Sequence, residues 1–138
     1  MERVPGIQAS QMIPGMVKQL YIKVGKQMGM DPNTLFRSGQ CENMTDELVL
    51  ALRRKGVEAR IATYNKGWTV LFHDFVIFVE DGEDWIADPT WQQFLDQPDP
   101  SLPNVFLSKK SDLAATLSKL GVPLKKHDIW FKAREMNL

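Results

Sequence analysis

Three residue types in this chain can together perform nucleophilic acyl chemistry: a thiol, an imidazole and a carboxylate. The thiol is Cys41, the only cysteine, in the stretch Ser38-Gly39-Gln40-Cys41-Glu42-Asn43-Met44. Met44, Leu48 and Leu52 follow at four-residue steps with Ala51 beside them, which predicts a helix opened by Cys41 and stopped by Gly56 after Lys55. A thiol at a helix N-terminus lies near unpaired N–H groups and the positive end of the helix dipole. Both favour thiolate, the nucleophilic form. The plainer alternative is that a lone cysteine is a small buried hydrophobe.

The imidazole is His73, near the start of a predicted strand running to Glu80. There His73, Phe75, Ile77 and Val79 share one face and Val76 and Phe78 the other, which predicts a central strand covered on both sides. The carboxylate is Asp88, at the end of a return strand from Asp84 after the Asp81-Gly82 turn. A hairpin brings its outer ends together, so His73 and Asp88 are expected to meet. Cys41 would then attack an acyl carbon, His73 would hold the thiolate and protonate the leaving amine, and Asp88 would orient the ring. Each residue has a plainer role available: His73 as a satisfied strand histidine, Asp88 before Pro89 as a turn former. The rival base is His127, in a Lys-rich stretch without a partner motif.

The remaining elements must position these three. Residues from about Gln11 to Met28 read as a helix with Met16, Leu20, Val24 and Met28 inward, ended by Gly29 and Pro32. From Val57 the period changes to that of strands: Val57 to Tyr64, then Trp68 to Phe72 after Asn65-Lys66-Gly67. Trp91 to Leu95 suggests a helical turn, Asp96 to Pro103 a loop, and Val105 to Leu107 a short edge strand. A helix capped by Ser108 or Ser111 is expected to run to Leu120, and a last helix from Lys125 to Glu135. Helices preceding an antiparallel sheet predict an α+β fold, N-terminal helices packed on a small sheet, with residues 1–138 as one domain.

Composition narrows the field. Seventeen Lys and Arg balance seventeen Asp and Glu, which argues against a general nucleic-acid binder. One cysteine and two histidines make a dedicated metal site unexpected, and no cofactor is implied. No apolar run reaches membrane-span length, and no basic-then-apolar leader opens the sequence. The expected site of action is therefore cytoplasmic, or else the chain is a module delivered from a larger secreted protein.

Gly39-Gln40-Cys41, Gly56-Val57-Glu58-Ala59-Arg60, His73 opening an apolar strand, and Trp85-Ile86-Ala87-Asp88-Pro89-Thr90 together resemble the transglutaminase-like core over about Ser38 to Trp91. The resemblance implies a papain-like fold and a Cys41, His73, Asp88 triad. It also implies a glutamine-directed deamidase or transglutaminase-like enzyme acting on a protein substrate, as a toxin or effector module with an immunity or inhibitor protein as partner. A cysteine peptidase of the same fold is the alternative, as is an inactive binding module presenting Trp68, Trp91 and Trp130 as an aromatic patch. The Cys41–His73 interval is short for that family, and no Trp precedes Cys41 to help bind the oxyanion. The second oxyanion donor, besides the Cys41 backbone N–H, is left open among Gln40, Asn33 and Trp68. Asp81, Glu83 and Asp84 are acidic but belong to a turn, and solvated charge suits them better than a calcium site.

Overall fold

Nine residues, Phe72–Glu80, with an unbroken apolar run from Phe75 to Val79, form the strand about which the chain is arranged. The computed structural model describes residues 8–30, 41–65, 72–97 and 99–135, with the backbone alone for Cys41 and Glu42. Five strands make one sheet: β1 (Ala59–Asn65), β2 (Phe72–Glu80), β3 (Glu83–Asp88), β4 (Phe106–Lys109) and β5 (Arg134–Glu135), in the order β4-β3-β2-β1-β5. Every pairing is antiparallel, and β2 is central. The fold is α+β.

The two faces of β2 feed two cores. Val76 and Phe78 pack under α1 (Ala9–Met28) and α2 (Cys41–Arg54) with Ile13, Val17, Leu48 and Leu52. Phe75 and Ile77 face the C-terminal third, among Trp91, Phe94, Phe106 and Trp130. The expected alternation along this strand is the observed one. The Asp81-Gly82 turn has positive φ at both residues, 53° and 76°, the twist a tight antiparallel hairpin needs.

Both long helices end as their glycines foretell. Gly29 has φ 69°, and Met30 N–H reaches Gly25 O at 2.8 Å. Gly56 has φ 80°, and Val57 N–H reaches Leu52 O at 3.0 Å. These six-to-one bonds satisfy carbonyls that would otherwise lack partners. At the other end of α1, the Glu80 carboxylate accepts from Ser10 N–H at 2.9 Å and Ser10 Oγ at 2.8 Å. The end of β2 thereby caps α1 with a negative charge.

Several details differ from expectation. α1 begins at Ala9, and its buried stripe is Ile13, Val17, Leu20, Tyr21 and Val24; Met16 is half-buried and Met28 exposed. A strict four-residue step drifts about 40° per step around a helix of 3.6 residues per turn, so Met16 and Met28 leave the face that Leu20 and Val24 keep. β1 begins at Ala59 rather than Val57. Most of the expected strand from Trp68 to Phe72 lies outside the described residues.

The C-terminal third departs further. Ser108 lies in β4 and Ser111 in a 3-10 turn (Lys110–Asp112), and the helix that follows, α3 (Leu113–Lys119), has no side-chain cap. Ser108 Oγ instead donates to Thr116 Oγ1 at 2.9 Å or to Lys109 O at 2.8 Å. The expected last helix is three short pieces: a 3-10 turn (Leu124–Lys126), α4 (Asp128–Phe131) and strand β5. Its three consecutive apolar residues fit no single helical face, and Phe131 is left outward while Ile129 and Trp130 are buried. β5 then adds to the sheet edge, with Ala62 opposite Glu135 and an Arg60–Glu135 ion pair at 2.6 Å.

Candidate active site

The hairpin brings His73 and Asp88 together. In the β2–β3 register Val76 is opposite Ala87. Continuing by one residue sets Asp88 opposite Phe75, and His73 is two positions further along β2 on the same face. That is the diagonal neighbour on an antiparallel pair, within reach of long side chains. His73 Nε2 and Asp88 Oδ2 are 2.6 Å apart, and both side chains are 0% exposed. A bond of that length, shielded from water, has the character of a charge-assisted one.

Four donors converge on the Asp88 carboxylate. Oδ2 takes His73 Nε2–H and the Trp130 indole N–H, the latter at 2.8 Å. Oδ1 takes Thr90 N–H at 3.0 Å and Thr90 Oγ1 at 3.4 Å. The turn-former role and the orienting role of Asp88 therefore coexist, one on each oxygen. An ionised carboxylate can only accept, so the Nε2 of His73 carries the proton and Nδ1 is the ring nitrogen away from Asp88. Gln93 Nε2 lies 3.4 Å from Nδ1 and also donates to Thr90 O at 3.0 Å. Phe94 sets its ring edge-on to the imidazole at 4.7 Å between centroids, which limits ring rotation.

From α1, the buried Tyr21 donates its hydroxyl to the carbonyl of Pro89, the residue after Asp88. Burial first, and the Asp88 charge second, push its phenol pKa well above the usual value, so it stays protonated.

α2 is tied to the sheet at two points. Thr45 Oγ1 donates to Asp74 O at 3.1 Å, and Arg53 Nε donates to Ala59 O at 3.1 Å, where Ala59 pairs with Phe78. The helix thus runs against β2 with its first turn at the His73 end. Cys41 opens that turn, four residues before Thr45. The oxyanion candidates Asn33, Gln40 and Trp68 lie outside the described residues.

The rival base is differently engaged. His127 is buried and its Nε2–H donates to the Val122 carbonyl at 3.0 Å, bracing a turn. Trp91 and Trp130 are 0% and 3% exposed, so neither contributes to an aromatic surface patch, contrary to the binding-module expectation. Their indole nitrogens and large rings were needed inside, where each N–H finds an acceptor. The turn acids Glu83 and Asp84 pair with Lys109 at 3.1 Å and Arg60 at 3.4 Å. Among the described residues no group of three or more His, Cys, Asp or Glu could hold a metal ion.

Trp130, Thr90 and Gln93 were missed by sequence reasoning. Thr90 and Gln93 follow Asp88 closely, and a polar pair just after a strand-ending Asp was the available signal. Trp130 is 42 residues from Asp88, and nothing local to it signals the contact.

No protein-family model matches the chain, and no curated protein does. A solved structure of Pasteurella multocida toxin, described as revealing a thiol-protease-like catalytic triad in the toxin's C-terminal region, is similar at 16% identity and a TM-score of 0.41. The similarity covers 84% of this chain and 19% of that one, so the chain spans about a fifth of that toxin structure's length.

Proposed function

We propose that this protein is a cysteine-dependent acyl-transfer enzyme with Cys41 as nucleophile, His73 as base and Asp88 as orienter, built on a papain-like, transglutaminase-like core. The observation that carries it is the buried 2.6 Å His73–Asp88 bond, with α2 held so that its Cys41 turn is at the same end of β2. A merely structural histidine does not need a carboxylate immobilised by three further donors. The order of the motifs from Gly39 to Thr90 supports the same reading.

The steps follow from the roles. His73 takes the Cys41 proton on Nδ1, giving a thiolate–imidazolium pair whose positive charge Asp88 stabilises. The thiolate adds to a glutamine side-chain carbonyl, and the Cys41 backbone N–H is one donor to the resulting oxyanion. His73 returns the proton to the amide nitrogen, ammonia leaves, and a thioester remains. Water, deprotonated by His73, hydrolyses the thioester to glutamate and frees Cys41. The glutamine side chain is favoured over the peptide bond because Gly-Gln-Cys and Asp-Pro-Thr resemble transglutaminases and deamidases more than papain. Water is taken as the acceptor; a lysine amine in its place would crosslink two proteins rather than form glutamate. The setting is a toxin or effector module acting on a cytoplasmic protein, with an immunity protein as its inhibitor.

The test is to incubate wild type and Cys41→Ala with target-cell lysate and compare peptides by mass spectrometry. Glutamine-to-glutamate conversion of about one mass unit, with ammonia release and only in the wild type, is the expected result. Cys41-dependent fragments would move the assignment to a peptidase.

A further inference from the structure

We infer that Trp130 is a positioning residue for the His73–Asp88 pair, and that the C-terminal segment carrying it tunes the basicity of the imidazole. Only the consequence for catalysis rests on the proposed activity; the coupling itself is a property of the pair. The Trp130 indole N–H and the His73 Nε2–H share one oxygen, Asp88 Oδ2, at 2.8 and 2.6 Å. A buried indole needs an acceptor, and a backbone carbonyl would have met that need. Here the acceptor is the carboxylate oxygen that already holds the histidine.

With Oδ2 pinned on a second side, the carboxylate plane cannot swing away from His73. The indole dipole also withdraws some of the negative charge that His73 feels, so it leaves the imidazole less basic than a lone carboxylate would. Trp130 is itself fixed. It packs edge-on to Phe94 at 5.4 Å and against Phe106 at 6.0 Å. The chain just beyond it is fastened to the sheet by β5 and by the Arg60–Glu135 ion pair. Among the described residues, the titratable groups facing Asp88 are His73 on β2 and Tyr21 on α1, which stays protonated. Cys41 opens α2 at the same end of β2. Thr90, Gln93, Phe94 and Phe106, which do not titrate, also touch the cluster.

Trp130→Phe keeps an aromatic ring and deletes only the donor. The chain has two histidines, so their titrations can be followed by imidazole nitrogen NMR and assigned with His127→Gln. In folded Trp130→Phe the His73 midpoint is expected to rise by roughly half a pH unit or more, with His127 unmoved. In the wild type, needing no variant, the Trp130 indole proton is expected to shift with the same midpoint as His73. A His73 midpoint unchanged or lowered in the folded variant overturns the inference. If the variant does not fold, an indole proton that ignores the His73 titration does so. Repeating both arms in Cys41→Ala removes any coupling of His73 to the thiol, so an inert Cys41 would remove the proposed activity without deciding this point.

Discussion

Thr45 Oγ1 donates to the carbonyl of Asp74 at 3.1 Å, fastening the helix that begins with Cys41 to the strand residue that follows His73. Thr45 is wholly buried, and no water can replace the bond. The bond lies four residues beyond Cys41 on α2 and one residue beyond His73 on β2, so it sets the start of the helix against that end of the strand. Thr45→Val keeps the shape and loses the donor. It should cost about 1 kcal/mol of stability, the net worth of such a bond. Because the loosened helix carries Cys41, turnover should fall by more than the folded fraction does. Chemical denaturation alongside a rate assay separates the two; a loss of activity matching the loss of folded protein would show that Thr45 acts on stability alone.

Asp88→Asn should be damaging for a reason visible in its partners. All four groups on the carboxylate donate, and an amide offers only one accepting oxygen. One side of the new side chain must set N–H against N–H. If the amide nitrogen faces His73, the ring adopts the wrong tautomer. The corresponding change in serine-protease triads lowers kcat about 10⁴-fold for that reason. A loss of that order, smaller than for His73→Ala, is expected in steady-state rates. Wild-type activity in Asp88→Asn would remove Asp88 from the mechanism.

Tyr21 gives the fold an alkaline limit. Its phenol pKa is raised in the folded state, so folded and unfolded chains are both protonated at Tyr21 below pH about 10. Above that, only the unfolded chain readily releases the proton, and stability falls as pH rises. Tyr21→Phe cannot ionise there. It should be less stable than wild type near pH 7, by about 1 kcal/mol for the bond lost to Pro89 O, and should lose less stability between about pH 10 and about pH 11.5. Parallel declines in melting temperature for the two proteins across that range would contradict this.

The sequence displayed the His73–Asp88 pair because every constraint on it is local. Alternation along Phe72–Glu80, the Asp81-Gly82 turn and the length of the return strand together set which residues meet. The glycines ending α1 and α2 were legible for the same reason. The Trp130–Asp88 bond was not, since it depends on how the C-terminal segment folds back over one sheet face. That segment offers no clean periodicity: Ile129 and Trp130 are buried between Leu124, 81% exposed, and Phe131. Leu124 and Phe131 are apolar yet lie outward, and the extension of the sheet by Arg134–Glu135 has no alternating pattern to betray it.

The central claim is that Cys41 is a thiolate held by His73. Its most direct test is the rate of Cys41 alkylation by iodoacetamide as a function of pH, in wild type and in His73→Ala. The expected wild-type midpoint is below about 7, and the expected His73→Ala midpoint moves toward about 8.5, the value of an ordinary thiol. A wild-type curve already at about 8.5 or higher, unchanged when His73 is removed, would contradict it.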